Sequence, residues 1–134
     1  MTAKAILLAD DDANQAFLTA RAFRDAQVPN PVVTVADGTA AIEYLERNAP
    51  PCLLLLDHHL PGKSGLDVLQ WVRSQSKVCT LPVLLLSSST YEADARAAYL
   101  LGANGYVVKP ATQDEMKSLA AAIRDYWLKF NRLA

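Results

Sequence analysis

Cysteine is nearly absent from this sequence. The two present, Cys52 and Cys79, stand far apart without metal-type spacing, which argues against a disulfide framework and fits free thiols in a reducing compartment. An excess of one charge is missing as well. Thirteen basic residues face fourteen acidic ones for a net charge of −1, so no global field draws in nucleic acid or an anionic membrane, and neither is expected as a partner. No apolar run approaches membrane-spanning length. The start, MTAKAILLADDD, is no secretory signal, because its short apolar run is cut by three aspartates with no small-residue cleavage site after it. A cytoplasmic protein is expected. What is present is the balance of an ordinary globule, 51% hydrophobic and 20% charged, in a length of 134 residues that suits one domain with a substantial core.

Apolar segments of two kinds alternate along the chain. Short continuous runs stand at AILLA (5–9), VVTVA (32–36), CLLLL (52–56), VLLL (83–86) and YVV (106–108). Continuous hydrophobicity marks strands buried on both faces, as in a parallel sheet. Each run is followed by a segment with helical spacing: ANQAFLTARAFRDA, GTAAIEYLERNA, SGLDVLQWVRSQ, YEADARAAYLLGA and QDEMKSLAAAIRDYWLKF. In the last of these Met116, Leu119, Ala120, Ile123, Trp127 and Phe130 recur every three or four residues. Asp37-Gly38, Pro50-Pro51, Pro61-Gly62, Pro82 and Lys109-Pro110 punctuate the divisions. Five strands each followed by a helix predict a single α/β domain over 1–134, with right-handed crossovers covering both faces of a parallel sheet. No effector domain is expected.

Ligands of open parallel sheets bind at the carboxyl ends of the strands. After the first run come Asp10, Asp11 and Asp12; after the third, Asp57; after the fourth, Ser87; after the fifth, Lys109. Asp12 is placed to cap the first helix. Any one of Asp57, Ser87 or Lys109 alone is an ordinary cap or solvated end, but four ends agreeing on one chemistry is not ordinary. Clustered carboxylates repel one another unless a cation sits among them, and an all-oxygen donor set with open positions suits Mg²⁺ rather than zinc. A lysine and a hydroxyl beside such a carboxylate are what a phosphoryl group needs, and an aspartate so placed can be the nucleophile that forms an acyl phosphate.

Four segments in order, ILLADDD, LLLLDHHLPGKSG, VLLLSSS and GANGYVVKP, resemble the receiver domain of bacterial two-component response regulators. The resemblance covers almost the whole chain. It implies a flavodoxin-like, doubly wound five-stranded parallel sheet of strand order 2-1-3-4-5. It implies that Asp57 accepts a phosphoryl group from a sensor histidine kinase, with Mg²⁺ held by Asp11, Asp57 and the backbone carbonyl of His59, and with Asp10 acting largely through water. Ser87 and Lys109 would move onto the phosphoryl oxygens and Tyr106 would turn inward behind Ser87, switching the surface of the fourth helix, fifth strand and fifth helix. It also implies a cis Lys109-Pro110 bond. More narrowly, LPGKSGLDVL, LGANGYVVKP and the ending DYWLKFNRLA look like the small single-domain regulators that partner bacterial and cyanobacterial phytochrome kinases, which tend to dimerise. A stand-alone regulator would pass its signal on through a downstream protein or a phosphotransfer partner.

The chain departs from the usual pattern at its histidine pair. Alternation along an extended strand puts His59 on the side of Asp57 and turns His58 away. His59 is therefore expected to tune hydrolysis of the acyl phosphate, and His58 to be an ordinary loop histidine. A zinc site is disfavoured, because adjacent histidines rarely reach one metal. Tyr126, Trp127 and Phe130 crowd one chain end and are expected to contribute to a homodimer interface. Ala111 stands where many receivers carry a large aromatic. Three other readings compete. A dehalogenase-type phosphatase needs a second aspartate where His59 stands, a flavin carrier would have its phosphate repelled by Asp10, Asp11 and Asp12, and a receiver-like binding module that is never phosphorylated would have no need of the acidic pair with Asp57, Ser87 and Lys109.

Overall fold

Polar side chains at the helix starts set much of the local structure. In the computed structural model, which describes residues 4–132, Asp12 accepts hydrogen bonds from the Asn14 and Gln15 N–H groups and so opens α1 (Ala13–Asp25). Asp37 accepts from Ala40 N–H to open α2 (Gly38–Arg47). Ser64 and Asp67 form a reciprocal capping box at the start of α3 (Gly65–Ser74), and Thr112 caps α5 (Gln113–Ile123). Such a cap is worth about 1 kcal/mol. Among the described α-helices, α4 (Glu92–Leu100) alone starts without a side-chain cap, and Ala98 is its single buried residue.

The strands are β1 (Ile6–Ala9), β2 (Val32–Val35), β3 (Leu53–Asp57), β4 (Val83–Ser87) and β5 (Gly105–Val108), all parallel in the order β2-β1-β3-β4-β5. Each lies within a residue of the apolar run that predicts it. Residues of β1, β3 and β4 are buried throughout, because helices cover both sheet faces. Ile6, Leu8, Leu53, Leu55, Leu84 and Leu86 pack against α1 and α5 through Phe23, Met116, Ala120 and Ile123. Leu7, Ala9, Leu54, Leu56, Val83 and Leu85 pack on the other face against α2, α3 and α4 through Leu45, Val68, Leu69 and Ala98.

The end of the last helix differs from its expected course. The segment 113–130 is helical throughout, but from Arg124 to Phe130 it widens into π winding, closed by Asn131 N–H donating to the Tyr126 carbonyl. The wider turn lets both Trp127 and Leu128 pack on the α1/α5 core, while Tyr126 and Phe130 stand 57% and 73% exposed. Trp127 is thus mainly a core residue, and Leu133 and Ala134 of the expected interface tail lie outside the described residues. Among those described, no helix is long and apolar enough to cross a membrane.

Candidate functional site

Register brings the four strand ends together. Ala9 lies opposite Leu56, Asp57 opposite Leu86 and Ser87 opposite Val108, so the residues after the apolar runs emerge along one edge. Strand alternation then sorts them by side. Asp10 and Asp57 continue the phase of the α1/α5 face, as does Lys109 beyond Val107. Ser87 continues the phase of Val83 and Leu85, and Tyr106 packs with that same opposite face.

Both oxygens of the Asp57 carboxylate are held. Lys109 Nζ lies 2.8 Å from Oδ2, and His59 N–H donates to Oδ1 at 3.2 Å. Asp57 is only 4% exposed, so the leucine run fixes a reactive-type carboxylate at a rigid strand end rather than on a loop. Its own main chain is crowded: a Cβ on Gly65 would collide with the Asp57 carbonyl oxygen. Only glycine lets α3 start this close, and Gly65 N–H donates to the His58 carbonyl at 3.0 Å.

Asp10, Asp11 and Asp57 offer carboxylate oxygens that all lie within 4.8 Å of one another. Burial is the main cause that raises the Asp10 pKa above the usual carboxylate range. The Asp57 and Asp11 charges add to that rise, while the Asp12 N–H and Lys109 oppose it. Lys109 pairs with Asp57 alone among the three carboxylates, so the cluster is under-neutralised. A hard divalent cation fits this donor set, with Asp11 exposed enough to leave positions for water.

Ser87 is 1% exposed; its Oγ accepts the Ser89 N–H at 3.1 Å and lies 3.4 Å from His58 Nδ1. The structure adds to the reading of the histidine pair, with His58 a loop residue as expected. Alternation does turn His58 from Asp57, but β3 ends at Asp57 and the side it turns to carries Ser87 and Tyr106. His58 is therefore inside the constellation, its ring meeting Tyr106 edge-on at 6.3 Å. His59 stacks on His58 at 4.8 Å and is exposed. The parity that places His58 with Ser87 was the available signal, and Ser89 was the other residue missed. The Tyr106 hydroxyl donates to the Ser89 carbonyl at 3.0 Å, and Tyr106 N–H donates to the Tyr99 hydroxyl at 3.3 Å.

The expected cis Lys109-Pro110 bond is also corrected. No cis peptide occurs among the described residues, and the turn into Thr112 is made with the trans bond that an X-Pro amide intrinsically prefers. The tail aromatics do not join the strand-end cluster. Tyr126 and Trp127, 5.1 Å apart and edge-on, line a shallow apolar groove with Tyr99, Tyr106 and Val107 beside β5.

Comparison with known proteins identifies the family and agrees with the fold. Residues 6–121 match the response regulator receiver domain family. The "Probable methanogenesis regulatory protein FilR2" of Methanothrix harundinacea is 33% identical over 132 residues, spanning 95% of this chain and 85% of that protein. The response regulator Rcp1 of Synechocystis sp. is 30% identical over 94% of this chain and 90% of its own length, and the structure of its Mn(2+)-bound form superposes with a TM-score of 0.87, covering 98% of this chain and 99% of that one at 28% identity. The structure of the phosphorylated cyanobacterial phytochrome response regulator RcpA superposes with a TM-score of 0.90 at 34% identity, covering 98% of both chains.

Proposed function

The chain belongs to the response regulator receiver family of two-component signalling, and we propose that it is a cytoplasmic, phosphorylatable switch with Asp57 as its acceptor. The observation that carries this reading is the buried Asp57 carboxylate held 2.8 Å from Lys109 beside Asp10 and Asp11. In the reaction a carboxylate oxygen of Asp57 attacks the phosphorus of a kinase phosphohistidine. The O–P bond forms as the P–N bond breaks, and the electron pair returns to the imidazole nitrogen of the kinase. Lys109 stays close enough to meet the charge arriving on the phosphoryl oxygens, and the Ser87 hydroxyl supplies a neutral donor to them. Asp10, Asp11, Asp57 and the His59 carbonyl would hold Mg²⁺, which when bound neutralises the carboxylates and the incoming phosphoryl charge. The protein is a substrate-like switch and catalyses only its own phosphorylation and dephosphorylation.

The response would run through Ser87 and the β4–α4 loop to Tyr106, and from there to the α4, β5 and α5 surface. The uncapped, barely anchored α4 supports this, because a helix with few buried contacts is the inexpensive one to shift. Likeness to RcpA supports a phytochrome-type histidine kinase as the donor, with a downstream protein or a phosphotransfer partner receiving the signal. The exposed Tyr126 and Phe130 support a homodimer. Sedimentation should show association that weakens in Tyr126→Ser/Phe130→Ser, and a monomer at high micromolar concentration would count against it. His59, exposed beside Asp57, is assigned to tuning hydrolysis, so His59→Asn should change the phosphate lifetime but not uptake.

The test of the acceptor is intact mass after incubation with a small acyl phosphate, with and without Mg²⁺. One phosphoryl adduct on wild type that needs Mg²⁺ and is absent from Asp57→Asn is expected. A folded wild type that takes none is a constitutive binding module instead.

A further inference from the structure

The Ser87 hydroxyl has one proton, and its surroundings say where that proton points. Its oxygen already accepts the Ser89 N–H, and the group is buried. Among the described residues the remaining partner within reach is His58 Nδ1, at 3.4 Å. Nδ1 is therefore the acceptor here, with the ring proton on Nε2, a tautomer assigned from the network. The ring is not free to swing. His59 stacks on it with planes 16° apart, and Tyr106 meets it at 80°.

We propose that His58 is a positioning residue that holds the Ser87 hydroxyl back from the phosphoryl group, favouring the unphosphorylated state and slowing phosphoryl uptake. This rests on Asp57 being the acceptor. One proton serves one acceptor at a time, so Ser87 leaves Nδ1 when it donates to a phosphoryl oxygen. The move is passed on, because Ser89 is tied to Ser87 by its N–H and to the Tyr106 hydroxyl by its carbonyl. His58 thus sits at the start of the hydrogen-bonded line that reaches β5. In the phosphorylated state Ser87 already faces the phosphoryl group, so His58 has no part in hydrolysis.

The experiment compares wild type, His58→Phe, which keeps a ring between His59 and Tyr106 but removes the acceptor, and His58→Asn, whose amide returns a hydrogen-bonding group near Nδ1. Uptake from a small acyl phosphate and subsequent hydrolysis are timed by intact mass, each also in a Ser87→Ala background. Expected is uptake about five-fold faster in His58→Phe, the ratio that one ordinary net hydrogen bond represents. Hydrolysis should be unchanged, His58→Asn should return toward wild type, and the gain should vanish without Ser87. Equal uptake in His58→Phe and wild type, or a gain that persists in Ser87→Ala, overturns the proposal. If wild type takes no phosphoryl group, the functional reading fails separately, and amide spectra of the unmodified proteins decide about His58. A Ser89 amide signal that moves in His58→Phe but not in His58→Asn supports the restraint, and one that stays put overturns it.

Discussion

At the amino-terminal edge of the sheet, Arg73 donates to the carbonyls of Gly102, Leu81 and Cys79 and to Asn104 Oδ1, while Lys77 reaches the carbonyls of Leu45, Glu46 and Asn48. At the carboxyl edge three carboxylates gather, and Lys109 pairs with one of them, Asp57. Charge at the first edge is used on backbone acceptors and closes the structure. At the second edge it is left unbalanced, the condition that a cation or a phosphoryl group relieves. The two ends share the same strands, so the rigid, satisfied end is what allows the other to remain electrostatically strained.

Backbone crowding at the carboxyl edge should give the largest effect. Gly65→Ala drives a Cβ into the Asp57 carbonyl and should cost about 3 kcal/mol in denaturant unfolding, with phosphoryl uptake lost as Asp57 shifts. Unchanged stability would mean that the start of α3 yields easily and that Asp57 is not rigidly held. Next comes the closed edge. Arg73→Met leaves several carbonyls short of donors and should cost about 2 kcal/mol without altering the rate of phosphoryl uptake once folded. A slower rate at full folding would dissolve the division between the two ends.

Asp10→Asn should act with the opposite sign. With a chelator present the variant should be more stable than wild type at neutral pH, because burial and two neighbouring charges oppose ionisation of Asp10. The folded protein binds this proton more tightly than the unfolded chain, so wild-type stability falls as pH rises from the ordinary 3.8 through the raised value. The advantage of Asp10→Asn should therefore be absent below about pH 3.8 and grow above it. An advantage that is flat with pH would assign it to something other than this carboxylate.

Much of this was legible in the chain. Strands buried on both faces leave continuous apolar runs, and the residue after each run is the one that surfaces, which is why Asp10, Asp57, Ser87 and Lys109 could be named from order alone. His58 is the loop histidine that was expected, but its nearness to Ser87 and Tyr106 depends on the strand beside it and was not legible locally. The site straddles the sheet, with acceptor groups in one phase and Ser87 and Tyr106 in the other. The π winding was hidden because Met116, Ala120 and Ile123 fit α spacing, and the wider turn begins only after them. Arg73 carried no signal in the sequence, because the carbonyls that converge on it come from Cys79, Leu81 and Gly102, beyond its own helix.

The most direct measurement is the unfolding midpoint of wild type in chelator and in excess Mg²⁺, repeated with Asp11→Asn. The carboxyl edge as described predicts a clear rise with Mg²⁺ in wild type that is largely lost in Asp11→Asn. The same midpoint in chelator and in Mg²⁺ would contradict it, because three carboxylates left short of positive charge would then be gaining nothing from the cation that fits them.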